Sequence, residues 1–203
     1  LRVISGTAKG RSLKAVPGQG TRPTTDKVKE AIFSMIGPYF DGGMVLDLFA
    51  GTGGLGIEAL SRGMDQGIFI DIEKKSLDVI QDNLKSTRLD AKAETYRNDA
   101  TRALKALAKR GLTFDLVFLD PPYRMKHVEE LVSYMEENAL LAEAAVIVVE
   151  HDAKHHYPEQ MGGAQQHRRV EYGEIAVTVY RFTRNVGQTP DEIEENDHER
   201  TTH

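Results

Sequence analysis

Phe114-Asp115-Leu116-Val117-Phe118-Leu119-Asp120-Pro121-Pro122-Tyr123 decides how the rest of the chain is read. Its first six residues are short, apolar and rich in β-branched and aromatic side chains, and Gly111 and a proline pair bound them. That pattern predicts a buried parallel strand. Two successive prolines fix φ and remove two backbone donors, so the chain leaves the strand rigidly. Asp120 and Tyr123 then stand at the strand's carboxyl end, where open α/β sheets bind ligands. A carboxylate acceptor beside a planar ring suits a flat group that carries an NH2. The plain alternative is a proline-rich turn after a core strand, and a motif this short leaves both open.

The upstream sequence narrows the choice. Met44–Phe49 predicts a first buried strand, running into Ala50-Gly51-Thr52-Gly53-Gly54-Leu55-Gly56 and a helix that ends near Gly63. Glycines let backbone approach a ligand, and a helix start presents N–H groups. Strand, glycine loop and helix in that order point to a nucleotide-type ligand. Gly67–Asp71 predicts the second strand. Asp71 lies 20 residues after Gly51, where an acid accepts hydrogen bonds from ribose hydroxyls, and Glu73 competes for that role. A helix with Leu77, Ile80 and Leu84 inward follows, then a strand over 93–97 and a helix opened by Asn98-Asp99-Ala100. Asp99 is an N-cap, a ligand for an adenine amino group, or both. After the fourth strand come a helix with Val128, Leu131, Val132 and Met135 inward and a fifth buried strand over 145–150. Residues 168–172 and 175–182 predict a closing hairpin turned at Gly173. Strands alternating with helices give a doubly wound, Rossmann-like α/β sheet, mostly parallel with a C-terminal antiparallel hairpin, over residues 41–183.

Residues 1–40 read as a small appendage. Arg2 to Val16 predict a β-hairpin with glycines at the turn, Pro17–Gly20 a loop, and Thr24, Thr25 or Asp26 the cap of a helix. Val28, Ala31, Ile32, Met35 and Ile36 form that helix's apolar face, Lys27 and Lys29 lie off it, and Gly37-Pro38 stop it. The chain's net charge of −5 hides a segregation. Residues 1–40 hold seven Lys or Arg against two acids, whereas 184–203 hold two against six. A basic front end on an acidic protein points to a polyanion partner at that end, and a solvated basic surface is the bland reading. The acidic segment 184–203 lacks periodicity and is expected to be a disordered tail.

At 203 residues the chain is long enough for one well-cored domain with appendages. Its zero cysteines exclude disulfides, thiolate zinc sites and cysteine nucleophiles together. No apolar run is long enough to span a membrane, so a soluble, cytoplasmic protein is expected. His151, His155 and His156 cluster after the fifth strand without a carboxylate or cysteine set at usable spacing, so no metal is expected there. No obligate partner chain is indicated, and a monomer is expected.

Asp120-Pro121-Pro122-Tyr123 is similar to the signature of methyltransferases that modify exocyclic or amide nitrogens. Residues 2–182 as a whole resemble the class I S-adenosylmethionine-dependent methyltransferases. Within them they resemble the RsmD family of 16S rRNA guanine-N2 methyltransferases. Three segments carry this: the front end (Arg2–Gly6, Lys9–Arg11 and Arg22–Glu30), Asp47–Leu60, and Asp120–Tyr123. The acidic tail is no part of the pattern. The resemblance implies that Asp47, Phe49, Ala50, Gly51, Thr52, Gly53 and Gly56 contact S-adenosylmethionine, with Asp47 and the loop on its methionine moiety. It implies that Asp71, with Ile72 beside it, binds the ribose, and that Asp99 and Ala100 frame the adenine. Asp120 and the Pro121 carbonyl would accept hydrogen bonds from the guanine amine, Pro122 would complete the rigid turn, and Tyr123 would stack on a base taken out of its helix. Lys9, Arg11, Arg22, Thr24, Lys27 and Lys29 would hold RNA of the small ribosomal subunit. The rivals are a DNA adenine or cytosine amino-methyltransferase, a protein-glutamine methyltransferase, an NAD-type oxidoreductase and a non-catalytic RNA-binding module. The oxidoreductase lacks an evident hydride-handling residue and substrate domain.

Overall fold

The computed structural model describes residues 1–18, 24–122 and 127–184. In chain order the elements are α1 (Asp26–Ile36), β1 (Met44–Asp47), α2 (Gly54–Ser61), β2 (Gln66–Asp71) and α3 (Lys74–Ser86). A short 3-10 turn (Asp90–Lys92), β3 (Ala93–Arg97), α4 (Ala100–Lys109), β4 (Phe114–Leu119) and α5 (Val128–Glu137) follow. The chain closes with β5 (Leu141–Asp152), β6 (Gln160–Met161), β7 (Ala164–Tyr172) and β8 (Ile175–Phe182). Among the described residues these strands form one sheet in the order β3-β2-β1-β4-β5-β8-β7-β6. The five strands from β3 to β5 are mutually parallel, and β8, β7 and β6 add antiparallel to that edge. The doubly wound sheet with its antiparallel closure is therefore as the alternation of apolar runs predicts.

The parallel strands are covered on both faces, which is why they are nearly continuous in apolar residues. One face packs against α4 and α5 through Leu104, Leu107, Val128, Val132 and Met135. The other carries Val45, Phe69, Leu116, Phe118 and Val148, and it is covered by α2, α3 and the N-terminal segment. Val3, Leu13, Val28, Ile32 and Phe33 belong to this second core. Phe33 meets Phe118 of β4 with ring centroids 5.9 Å apart. Residues 1–40 thus take their core from the sheet they lie on.

The N-terminal hairpin is looser than its alternating pattern predicts. Its only antiparallel bridge among the described residues joins Arg2 and Ser12, with Val3 N donating to Arg11 O at 2.9 Å. Gly10 N also donates to Val3 O and Leu13 N to Leu1 O, but between them turns at Gly6 and Gly10 replace a regular ladder, and the segment between the turns bonds outward to α2 as well. Thr7 N donates to Ser61 O, and Ala8 N to Ser61 Oγ. The fifth strand is also longer than the apolar run over 145–150, because Leu141–Ala144 continue its pairing past an irregularity opposite Phe114 and Leu116. β7 likewise begins at Ala164 rather than 168.

A buried carboxylate fastens the N-terminal segment. Glu58 of α2 is wholly inaccessible, and its oxygens accept from Ile4 N at 2.8 Å, Ser5 N at 3.2 Å and Arg62 Nε at 3.1 Å. Lys29 Nζ lies 3.8 Å from the same carboxylate and donates to Arg2 O. Lys29 is therefore not on an exposed basic face, contrary to expectation: it is 1% exposed, packed beside Val28 and Ile32, and is not placed to contact RNA. Desolvation lowers its pKa, against the pull of Glu58 and Asp26. A charge so placed is tolerable only while its partner remains. Glu58→Ala, which strands Lys29 and Arg62, is expected to lower the unfolding free energy by about 3–5 kcal/mol in urea titrations. Lys9→Ala, at an exposed position, is expected to stay within about 0.5 kcal/mol of the parent.

Candidate active site

β1 continues into connections toward β2 on one side, and β4 into connections toward β5 on the other. The boundary between them is the point where the strand order reverses, and clefts outside the carboxyl ends open there. Asp47 ends β1, paired with Phe118 of β4, and Asp120 follows two residues on. Leu119 pairs with Val149 of β5, so Asp120 stands beside Glu150 on the next strand. Side chains alternate across a strand, so Asp47, Asp120 and Glu150 share the sheet face that bears Phe118 and Val148. Three carboxylates converge, and among the described residues none of them has a lysine or arginine in ion-pair contact.

Asp47 is 3% exposed and its Oδ2 accepts from Gly56 N at 3.0 Å. Burial pushes this carboxyl up to about 7 against the Gly56 hydrogen bond, and Asp71 and Glu150 add repulsion. The glycine loop curls between β1 and α2 with Ala50 N bonded to Ile70 O and Gly53 N to Ala50 O. Gly53 has φ +80°, a left-handed value that side chains rarely adopt. At Gly56 a Cβ would collide with the Phe69 ring, so helix and strand approach each other only with glycine there. A Cβ at Gly51 would meet nothing within 4 Å, which leaves the loop crest open. The helix start is less free than the sequence pattern implies: Thr52 Oγ1 accepts from Gly54 N at 3.1 Å, and Asp47 takes Gly56 N.

Asp71 ends β2 and ties the loop to α3, accepting from Gly51 N through Oδ2 and from Glu73 N through Oδ1, each at 2.9 Å. Those bonds hold its carboxylate beside the loop crest, while Glu73 serves as the N-cap residue of α3 without a side-chain capping bond. Ile72 next to it is 59% exposed, a large apolar side chain left open at the cleft's edge. Asp99 is the N-cap of α4, its Oδ1 accepting from Arg102 N at 2.9 Å, and Ala100 is buried behind it. Phe49 is half-buried, Ala50 buried and Thr52 half-buried. Asp47, the loop, Asp71 and Ile72, and Asp99 thus follow one another along the ends of β1, β2 and β3.

Asp120 opens to solvent on its outer side, with Pro121 half-buried and Pro122 exposed. Inward, protein crowding strips water from its carboxyl, and with Glu150 and Asp47 close by this pushes its pKa well above the usual carboxylate range. Because one side meets water, that elevation is screened and weaker than for a fully enclosed acid. Tyr123 lies outside the described residues, as do Arg22 and the tail from 185 onward. Lys9, Arg11 and Lys27 are exposed on the front end. Thr24, expected to meet RNA, turns inward: its Oγ1 donates to Glu150 Oε2 at 2.6 Å, and Thr25 instead caps α1. Glu150, 6% exposed, carried no role in the sequence reading. Its only signal was an acid at the carboxyl end of an apolar run. His151 is held by Asp152 O and Thr178 Oγ1 at its two ring nitrogens, and it packs 4.9 Å from the Tyr157 ring.

A family model described as "Conserved hypothetical protein 95" matches residues 1–181. The chain is 54% identical over 181 residues to "Putative rRNA methyltransferase YlbH" of Bacillus subtilis, covering 89% of this chain and 98% of that protein. It is 34% identical over 181 residues to "Ribosomal RNA small subunit methyltransferase D" of Escherichia coli, covering 89% of each. The solved structure of "Putative methyltransferase yhhF from Escherichia coli" superposes with TM-score 0.76 at 33% identity, covering 90% of this chain and 98% of that one.

The Asp47 carboxyl titrates higher in the fold than in an unfolded chain, so the folded protein binds the extra proton between about pH 4 and 7. Stability from this group falls as pH rises through that window. Asp47→Asn keeps an oxygen for Gly56 N–H and removes the charge. Its melting temperature is expected to exceed the parent's at about pH 8 and to converge on it at about pH 4, checked by calorimetry in matched salt.

Proposed function

The chain belongs to the conserved hypothetical protein 95 family, the RsmD family of rRNA methyltransferases, and we propose that it methylates the exocyclic N2 amine of a guanine in 16S rRNA. The methyl donor is S-adenosylmethionine, which supplies a methyl group already activated on a sulfonium. The observation that carries the reading is the pairing across β1 and β4. An open glycine loop lies on one side of the strand-order reversal, and a rigid Asp-Pro-Pro turn carrying the Asp120 carboxyl on the other.

The residues present fit this donor. Among the described residues Asp47, Asp120 and Glu150 gather acidic groups with no lysine or arginine in ion-pair contact, which complements a ligand bearing an ammonium and a sulfonium. Asp47 and the loop backbone would hold the methionine moiety. Asp71 would accept from the ribose hydroxyls with the lone pairs that Gly51 and Glu73 leave, and Glu73 would stay outside. Ile72 would offer an apolar bed to the adenine, with Asp99 and Ala100 at its rim.

Asp120 and the Pro121 carbonyl would accept the two amine hydrogens, and the proline pair keeps both acceptors in place without reorganisation. Positioning is the main contribution the protein makes to such a transfer. Tyr123 would stack on the guanine, which must leave its helix to enter. Lys9, Arg11, Lys27 and, next to them in sequence, Arg22 would carry the phosphate contacts. The relatives named for ribosomal RNA support that substrate over DNA or protein.

The test offers labelled S-adenosylmethionine with unmodified small subunits, free 16S rRNA and duplex DNA, followed by nucleoside identification. Label is expected in N2-methylguanosine from ribosomal RNA, and label in DNA would overturn the substrate assignment. Asp120→Ala is expected to lose transfer by at least about 100-fold while still binding S-adenosylmethionine, with a much smaller loss of affinity. A fully active variant would remove Asp120 from the mechanism.

A further inference from the structure

Glu150 is a buried carboxylate placed against another carboxylate, with no cation beside it among the described residues. The register of β4 and β5 pairs Leu119 with Val149 and so puts Glu150 next to Asp120, whose pKa burial and this neighbouring charge raise. Neighbouring carboxyls can hydrogen-bond to each other only through a proton, and like charges side by side do not both ionise readily. The remaining contact is unusual in its origin. Thr24, 126 residues away in sequence, donates to Glu150 Oε2 at 2.6 Å. The front end that would hold RNA is thereby bonded to the neighbour of the amine acceptor.

We propose that Glu150 is a positioning residue for the amine pocket: fixed by the Thr24 hydroxyl, it shares one proton with Asp120 and so sets which Asp120 oxygen faces the amine. This rests on the methyl-transfer reading. The groups facing the pair agree with a single shared proton. β1 contributes the buried acid Asp47, β8 places Val177 opposite Glu150, and the loop after β5 brings the Tyr157 phenol, which feels both Glu129 and Asp120. Desolvation raises the Glu150 carboxyl, while its bonds to Thr24 and Asp120 hold that rise down.

The arrangement also disposes of the proton that methylation releases. As the guanine nitrogen's lone pair forms the N–C bond, the electron pair of the breaking C–S bond stays on sulfur. The nitrogen then gives one proton to the free Asp120 oxygen, and the doubly protonated pair returns it to water. Before transfer the pair carries one proton, and immediately after it carries two.

Isotope-edited carboxyl NMR of the protein without any substrate tests the shared proton directly. Asp120 and Glu150 are expected to titrate as a coupled pair in two steps, and Glu150→Gln to leave Asp120 a single step. In methyl-transfer assays kcat is expected to be bell-shaped in pH, with the alkaline limb lost in Glu150→Gln because the glutamine amide donates permanently. Glu150→Ala is expected to lose about 100-fold in kcat with a much smaller rise in the KM for S-adenosylmethionine, and Thr24→Val to fall between. Superimposable pH profiles for the parent and Glu150→Gln, or independent titration of Asp120, would overturn the proposal. Should the parent methylate none of the acceptors, the rRNA reading fails, while the NMR titration still decides whether the proton is shared.

Discussion

Everything at the working end of this protein follows from three carboxylates brought together by strand register. Parallel pairing of β1 with β4 and of β4 with β5 puts Asp47, Asp120 and Glu150 on one face at one end of the sheet. Burial penalises each charge, and repulsion adds to it at Asp47 and Asp120, so the folded chain holds protons there that an unfolded chain would release. Such a cluster is destabilising on its own. It is tolerable in a site whose ligand brings the missing positive charge, and a cationic methyl donor does so. The cleft therefore sacrifices stability where binding recovers it.

A second acid answers the opposite problem. Glu58 binds Ile4, Ser5, Lys29 and Arg62 and draws the basic front end onto the sheet. Its position brings α1 across the same face that carries the three carboxylates, with Phe33 packed on Phe118 and Thr24 reaching Glu150. The front end is thus less an appendage than the roof of the cleft. The segment proposed to hold RNA and the turn proposed to hold the amine become parts of one wall.

The first five strands, the glycine loop and the Asp-Pro-Pro turn were legible because each is written locally. Apolar runs of strand length, glycines before a helix and a proline pair all act within a few residues. Asp99 was legible as a cap for the same reason. Lys29 was not: helical periodicity sorts lysine with the polar face, and only Glu58, 29 residues on, makes its burial possible. Thr24 was one of three adjacent candidates to cap α1, and nothing nearby revealed that it was spoken for by Glu150. Glu150 itself was visible as the end of an apolar run, but its meaning depends on the register of β5 against β4, which no local pattern encodes. The N-terminal hairpin is looser than its alternation implies because that pattern says nothing of the bonds Thr7 and Ala8 make to α2.

The most direct measurement of the central claim is the proton balance of cofactor binding. S-adenosylmethionine would be titrated calorimetrically into the protein at about pH 7 in buffers of differing ionisation enthalpy, and again at about pH 9. With the Asp47 carboxyl at about 7 in the free protein, the arriving positive charge favours its ionised form. The account predicts net proton release at the lower pH and much less at the higher, where that carboxyl is already ionised. Binding with no proton exchange at either pH, or with uptake, would contradict the claim that the acidic cleft is built for a cationic methyl donor.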